Sequence, residues 1–151
     1  MTSFELIPVG YIKCPLLKTK ADFKAKKTGE KFKAEAVINE KLMEALDEIE
    51  TFDRVWLIFL FDRNINEGYK TKLHPRPDPS TKRGVFITRS PYRPNPIGLS
   101  CVKVTGRTKN ILYFENSDIL DGTPLLDIKP YIPKSDSWPD SKAGWYDNLD
   151  D

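Results

Sequence analysis

Histidine occurs once and cysteine twice in this 151-residue chain, so neither a four-ligand zinc site nor a disulfide framework has enough raw material. The two thiols, Cys14 and Cys101, fit a reducing compartment. No apolar run is long: Val55 to Phe61, the longest, falls far short of the ~20 residues a helix needs to cross a bilayer. The opening residues, Met1 to Glu5, lack the basic stretch and apolar core of a secretory leader, so a cytoplasmic protein is expected. Neither the glycine-rich loop with Gly-Lys-Ser/Thr that cradles phosphates nor the three-glycine dinucleotide fingerprint is present.

What is present is enough for a core. Hydrophobic residues make up 39% and aromatics 11%, which excludes wholesale disorder. The net charge is only +2, but it is unevenly placed. From Pro79 to Phe114 there is no acidic residue, while Lys82, Arg83, Arg89, Arg93, Lys103, Arg107 and Lys109 are all basic. A second basic stretch runs from Lys18 to Lys33, and acidic residues gather between Glu40 and Asp53. One-signed basic regions attract phosphates even on a nearly neutral protein.

Short apolar stretches broken by turn residues predict strands at Leu6–Ile12, Ala34–Ile38, Val55–Phe61, Gly84–Thr88, Leu99–Thr105 and Ile111–Phe114, with a short one at Asp127-Ile128. Asn39 is placed to cap a short helix whose Leu42, Met43, Leu46 and Ile49 would face the core. The lysine-rich stretch lacks periodicity and reads as a loop. Cys101 lies on a strand whose alternation leaves its exposure open, and burial is the usual fate of such a thiol. Many short strands and one convincing helix predict a mainly β fold, a small barrel or sandwich. Residues 1–136 are expected to form one domain, with 137–151 a tail packed on it or on a dimer seam.

Two segments carry unusual chemistry. In Arg89-Ser90-Pro91-Tyr92-Arg93-Pro94-Asn95-Pro96-Ile97-Gly98, three prolines fix φ and stiffen the backbone, so the polar side chains leave it in set directions. Such a loop either presents Arg89, Arg93 and Asn95 to a ligand or is a stiff connection with surface ion pairs. In Asp118 to Pro133, Asp121-Gly122 is a turn signal flanked by Thr123. Its aspartates either accept from a ligand's hydroxyls or amine, or serve the turn alone.

These segments, in this order and spacing, together with Phe52-Asp53-Arg54-Val55-Trp56-Leu57-Ile58-Phe59-Leu60-Phe61, resemble the TsaA-like (YaeB, TrmO) family. The Thr-Arg-Ser-Pro-x-Arg-Pro-Asn-Pro-x-Gly string is the most specific part, and the resemblance runs from about Ile7 to Asp136. It implies a small closed β-barrel with one or two short helices, a homodimer that binds S-adenosylmethionine. It further implies methyl transfer to N6 of threonylcarbamoyladenosine at position 37 of tRNA, with no metal and no membrane. Carried over by position, cofactor contacts fall on Lys27, Thr28, Gly29, Asp62, Arg63, Arg89, Leu99, Asp121, Gly122, Thr123 and Pro124. The chain departs from the family pattern in three places: Lys26-Lys27-Thr28-Gly29 stands where members commonly have Pro-Arg-Gln-Pro-Gly, Asp62 stands where they have a histidine, and Cys14-Pro15 stands for the usual Ser-Pro.

Transfer of a methyl group from a sulfonium is an in-line displacement whose main requirement is positioning. An amide-like N6–H is a weak nucleophile, and a nearby base helps it. Asp62 and Asp121 are the two candidates for that role. Arg89 and Arg93 suit a carboxylate or phosphate through paired hydrogen bonds, while Asn95, Lys82 and Arg83 suit RNA. The competing expectation is a regulatory or RNA-binding module that keeps the cofactor pocket without methylating tRNA.

Overall fold

The computed structural model describes residues 1–27 and 29–150; Thr28, expected at the cofactor, lies outside them. The strands are β1 (Gly10–Lys13), β2 (Phe32–Ile38), β3 (Arg54–Leu60), β4 (Lys72–Leu73), β5 (Arg83–Gly84), β6 (Ile97–Thr108), β7 (Ile111–Ser117) and β8 (Pro124–Pro130). Two short α-helices, α1 (Lys20–Ala25) and α2 (Pro133–Asp136), and several 3-10 turns join them. The chain divides into two compact units, one of Met1–Asp62 with Ile97–Tyr131, the other of Arg63–Pro96 with Ile132–Asp151.

The first unit is a closed antiparallel barrel in the order β1-β2-β7-β6-β3-β8, as the mainly β expectation required. Strand alternation builds its core. Val55, Leu57 and Phe59 of β3 point inward and are buried, meeting Ile12, Ala36, Val102, Leu112, Phe114 and Leu125. Closure removes exposed sheet edges, so every barrel strand has a neighbour on both sides. The inner face is apolar at its centre, while the outward residues of β3 are half-buried.

The second unit has little regular structure. Its β4 and β5 pair through Lys72↔Gly84 and Leu73↔Arg83. Beyond β5, Val85–Ile87 forms a 3-10 turn, not the strand expected over Gly84–Thr88. The Thr88 hydroxyl donates to the Val85 carbonyl at 2.8 Å and its amide to the same oxygen at 3.1 Å, which curls the backbone away from extension.

Other expectations change in detail. The first strand begins at Gly10, not Leu6. The lysine-rich stretch contains α1, because Thr19 and Asp22 cap it reciprocally. Asn39 does cap the next helix, its side chain accepting from the Lys41 amide, but Glu40–Leu46 is 3-10. Three residues per turn rotate the expected stripe, so Leu46 is buried and Ile49 packs on the core while Leu42 and Met43 stay exposed. Cys101 is half-exposed on the outer face beside Leu99 and Lys103; the buried thiol is Cys14.

Candidate cofactor and nucleic-acid sites

Strand register gathers several expected cofactor residues at one end of the barrel. β3 runs Leu60↔Ile97 and Ile58↔Leu99 against β6, and Phe59↔Leu125 against β8. β1 runs Tyr11↔Pro124 and Lys13↔Glu35 against β8 and β2. The end of β3 leading to Asp62, the start of β6 with Leu99, and the turn into β8 with Gly122, Thr123 and Pro124 are therefore neighbours. β2 begins at Phe32 at that same end, shortly after Lys27 and Gly29 in the chain.

Backbone hydrogen bonds hold this end shut. The Cys14 amide donates to Asp121 Oδ1 at 2.7 Å, the Asp121 amide to the Leu17 carbonyl at 2.7 Å, and the Gly122 amide to the Ile12 carbonyl at 2.7 Å. Gly122 has φ +78, a left-handed conformation that a side chain makes costly. Thr123 is buried, its carbonyl accepting from Ile12 at 2.9 Å. Asp121 thus locks β1 to the turn across 107 residues of sequence, a contact no local pattern announces. Ser100 Oγ adds a 3.3 Å contact with Asp118 Oδ1. Burial, and then the Asp121 charge, push the Cys14 thiol up, leaving it un-ionised and unreactive.

The loop after α1 is polar and exposed. The Lys27 amide donates to Glu30 Oε2 at 2.9 Å and the Glu30 amide to the Lys27 carbonyl at 3.0 Å, making a closed turn around Gly29 at φ +76.

The remaining expected residues lie in the second unit. Arg93 is turned inward: its Nη1 donates to the carbonyls of Thr88 at 2.9 Å and Ser90 at 3.0 Å. It staples the proline-rich loop, whose fold is completed by Ser90 N–H to Thr88 Oγ1 and Tyr92 N–H to Ser90 Oγ, both at 3.3 Å. Arg83 meets Asp78 at 2.7 Å and lies over the Trp145 ring, 4.5 Å from its centroid. The Ser80 hydroxyl, and then Arg83, hold the Asp78 carboxyl below the usual carboxylate range. Arg107, back in the barrel unit, bonds Asp47 at 3.0 Å and the Met43 carbonyl at 3.2 Å. Three guanidiniums of the acid-free stretch are therefore structural braces. Lys82, Arg89 and Asn95 stand exposed, and Arg63 is half-buried at the start of the second unit.

Sequence reading missed Trp145 as a brace and Phe86 as an exposed ring. Phe86 occupied a position assigned to a strand, and only the 3-10 turn turns its side chain out, 78% exposed. Among the described residues no helix is long and apolar enough to cross a membrane, and no group of three or more histidine, cysteine, aspartate or glutamate residues is arranged to hold a metal ion.

A closed six-stranded antiparallel barrel with loops gathered at one mouth defines the class. Within it, the chain belongs to the tRNA-methyltransferase O N-terminal domain family, whose model matches residues 12–137. It is 46% identical over 102 residues to a probable S-adenosyl-L-methionine-binding protein of Pyrococcus abyssi (strain GE5 / Orsay), covering 68% of this chain and 54% of that one. It is 38% identical over 107 residues to a tRNA (adenine(37)-N6)-methyltransferase of Escherichia coli (strain K12), covering 68% and 46%. The chain thus spans about half the length of these relatives. A crystal structure of TrmO from Pseudomonas aeruginosa superposes with a TM-score of 0.75 at 30% identity, covering 99% of this chain and 66% of that chain.

Proposed function

We propose that the protein binds S-adenosylmethionine and transfers its methyl group to N6 of an adenosine, threonylcarbamoyladenosine at position 37 of tRNA. The observation that carries this reading is the convergence of Leu99, Asp62 and the Asp121–Pro124 turn on one barrel end, where β2 also begins. That donor set suits the cofactor. Leu99, 44% exposed, offers apolar surface to a nucleoside, and carboxylate and backbone oxygen near a sulfonium favour its positive charge. When bound, the cofactor supplies an activated methyl group on a good leaving sulfur.

The protein's part is to hold and to deprotonate. Lys27, Gly29, Arg63, Arg89, Leu99, Gly122, Thr123 and Pro124 are assigned to hold the cofactor, Arg89 through its charge toward a carboxylate. Asp121 has one oxygen committed to the Cys14 amide and is assigned to keep the turn in shape. Asp62, at the start of the 3-10 turn Asp62–Glu67, is assigned to accept the proton from N6. Asn95, Lys82 and Arg83 are assigned to the RNA side, with Arg93 acting through the loop it braces.

We place the active form in the cytoplasm as a homodimer of the 1–136 domain with the 137–151 tail packed on it. Ile97 and Leu99, both over a third exposed on the outer face of β6, support a covering by a second copy. Native mass measurement reads the dimer. The decisive experiment for activity is transfer of labelled methyl from S-adenosylmethionine to bulk tRNA, followed by nucleoside analysis. Label in an N6-methylated adenosine is expected, and the Asp62→Asn variant should lose about 10²-fold or more in rate while still binding cofactor. Saturable cofactor heat without transfer to RNA would leave only a binding module.

A further inference from the structure

The second unit contains a cavity of about 500 Å3 lined by Arg83, Phe86, Ile87, Arg89, Trp145 and Tyr146 among others. Its volume lies within the range of small-ligand pockets. Its wall is built rather than incidental. Trp145 Nε1 donates to the Ile87 carbonyl at 2.7 Å, tying the C-terminal 3-10 turn Gly144–Asn148 to Val85–Ile87. One aromatic pair is already formed: Trp145 and Tyr146 stack with centroids 4.0 Å apart at 28°. Arg83 lies over Trp145 and is pinned by Asp78, and its Nε is buried with no partner among the described residues.

The cavity therefore has a rigid floor of guanidinium and indole, and beside it one aromatic ring left open. Phe86 is 78% exposed and Ile87 57%, an unusual cost for a turn unless something covers them. The chain segment that carries them is basic. Between Pro79 and Phe114 there is no acidic residue, and Lys82 and Arg89 stand exposed near Phe86 in sequence. Asp78 is held by Ser80 and Arg83, and Asp147, in the 3-10 turn that bears Trp145, accepts from the Ala143 amide at 2.9 Å.

Apolar ring, fixed guanidinium and exposed cations together match a planar base carrying a phosphate. We propose that this cavity seats an unstacked nucleotide of single-stranded RNA, its base lying on Phe86 and its phosphate drawn by Lys82. The site deepens the tRNA reading by supplying a seat for a loop nucleotide other than the methylated one, and it gives the 137–151 tail a role as one wall. RNA loops offer such splayed bases, whereas duplex RNA keeps them stacked.

The test uses the full chain and a labelled twelve-nucleotide single-stranded RNA, compared with the same strand in a duplex, by fluorescence anisotropy at several salt concentrations. Phe86→Ala should weaken single-strand binding about tenfold or more, with the salt slope and the S-adenosylmethionine heat unchanged. Phe86→Trp should restore binding; Phe86→Leu should not. Equal single-strand affinity in Phe86→Ala, or an equal loss on duplex, overturns the proposal. Full rescue by leucine also overturns it, identifying an apolar contact suited to a protein partner. Bulk tRNA methylation by the unaltered chain is run alongside. If it methylates tRNA and Phe86→Ala leaves the KM for tRNA unchanged, the seat falls and the activity stands. If it does not methylate yet shows the Phe86 effect, the seat stands alone.

Discussion

Gly98 closes the proline-rich string and pairs with Phe59 across β3 and β6. A Cβ built there would lie 2.2 Å from Phe59 Cε2, inside a ring that is itself packed edge-to-face with Phe61 at 5.3 Å. Glycine is needed here for space, since the ring crosses the barrel over it. Gly98→Ala is expected to destabilise the protein by about 1–3 kcal/mol, read as a lower urea midpoint at unchanged slope. The two thiols separate by the same kind of local reasoning. Cys14 is fully buried and held un-ionised, whereas Cys101 is half-exposed, so an alkylating reagent should label Cys101 in the native protein and Cys14 only after unfolding. Peptide mass mapping distinguishes the two. Asp121→Ala should cost about 1–3 kcal/mol by leaving the Cys14 amide without its acceptor, while Asp121→Asn keeps an oxygen in place and should cost less. Cys14 and Asp121 were each visible in the sequence, but their contact was not, because nothing in a linear pattern pairs residues so far apart.

Helix α1 shows what an element of six residues with no buried side chain depends on. Asp22 Oδ2 accepts from the amides of Lys18 at 3.0 Å and Thr19 at 2.9 Å, and the Asp22 amide donates to Thr19 Oγ1 at 3.1 Å. The Thr19 amide first, and then its hydroxyl, hold the Asp22 carboxyl below the usual carboxylate range. A carboxyl depressed in the folded state stabilises above its unfolded pKa, and that contribution is lost as pH falls through the lower native value. Protection of the Lys18 and Thr19 amides, measured against intrinsic exchange at each pH, should therefore persist at neutral pH and fall only in strong acid, while Thr19→Ala lowers it at every pH. Thr19-Lys20-Ala21-Asp22 is a capping signature legible in the sequence, hidden there by the surrounding lysines. Glu40–Leu46 is the opposite case. Its cap at Asn39 was legible, but helical spacing alone does not separate α from 3-10, and the side chains expected inside turned out.

At the scale of the whole molecule, the proposed function gives the exposed lysines of the basic stretches the task of attracting RNA, while most of the arginines there do something else. Arg83, Arg93 and Arg107 are committed to Asp78, to loop carbonyls and to Asp47, so the exposed lysines carry the attraction. Log affinity for tRNA is expected to fall linearly with log salt, and Lys82→Ala should make the slope shallower by less than about one unit without altering sequence preference. A slope insensitive to Lys82 would remove it from the interface. Composition and alternation were sufficient by themselves to determine a mainly β fold, and the proline-rich string with the Asp-Gly turn to point to its family, because those signals are local: period-two burial, fixed φ at proline, and turns at Asp-Gly. Tertiary structure alone decided which strand lies beside which, and hence that Asp62, Leu99 and the Asp121–Pro124 turn share one end. It alone decided that Arg93 faces inward and Phe86 outward. Closure sets register through contacts between residues distant along the chain, and a side chain's direction depends on the partner it finds there.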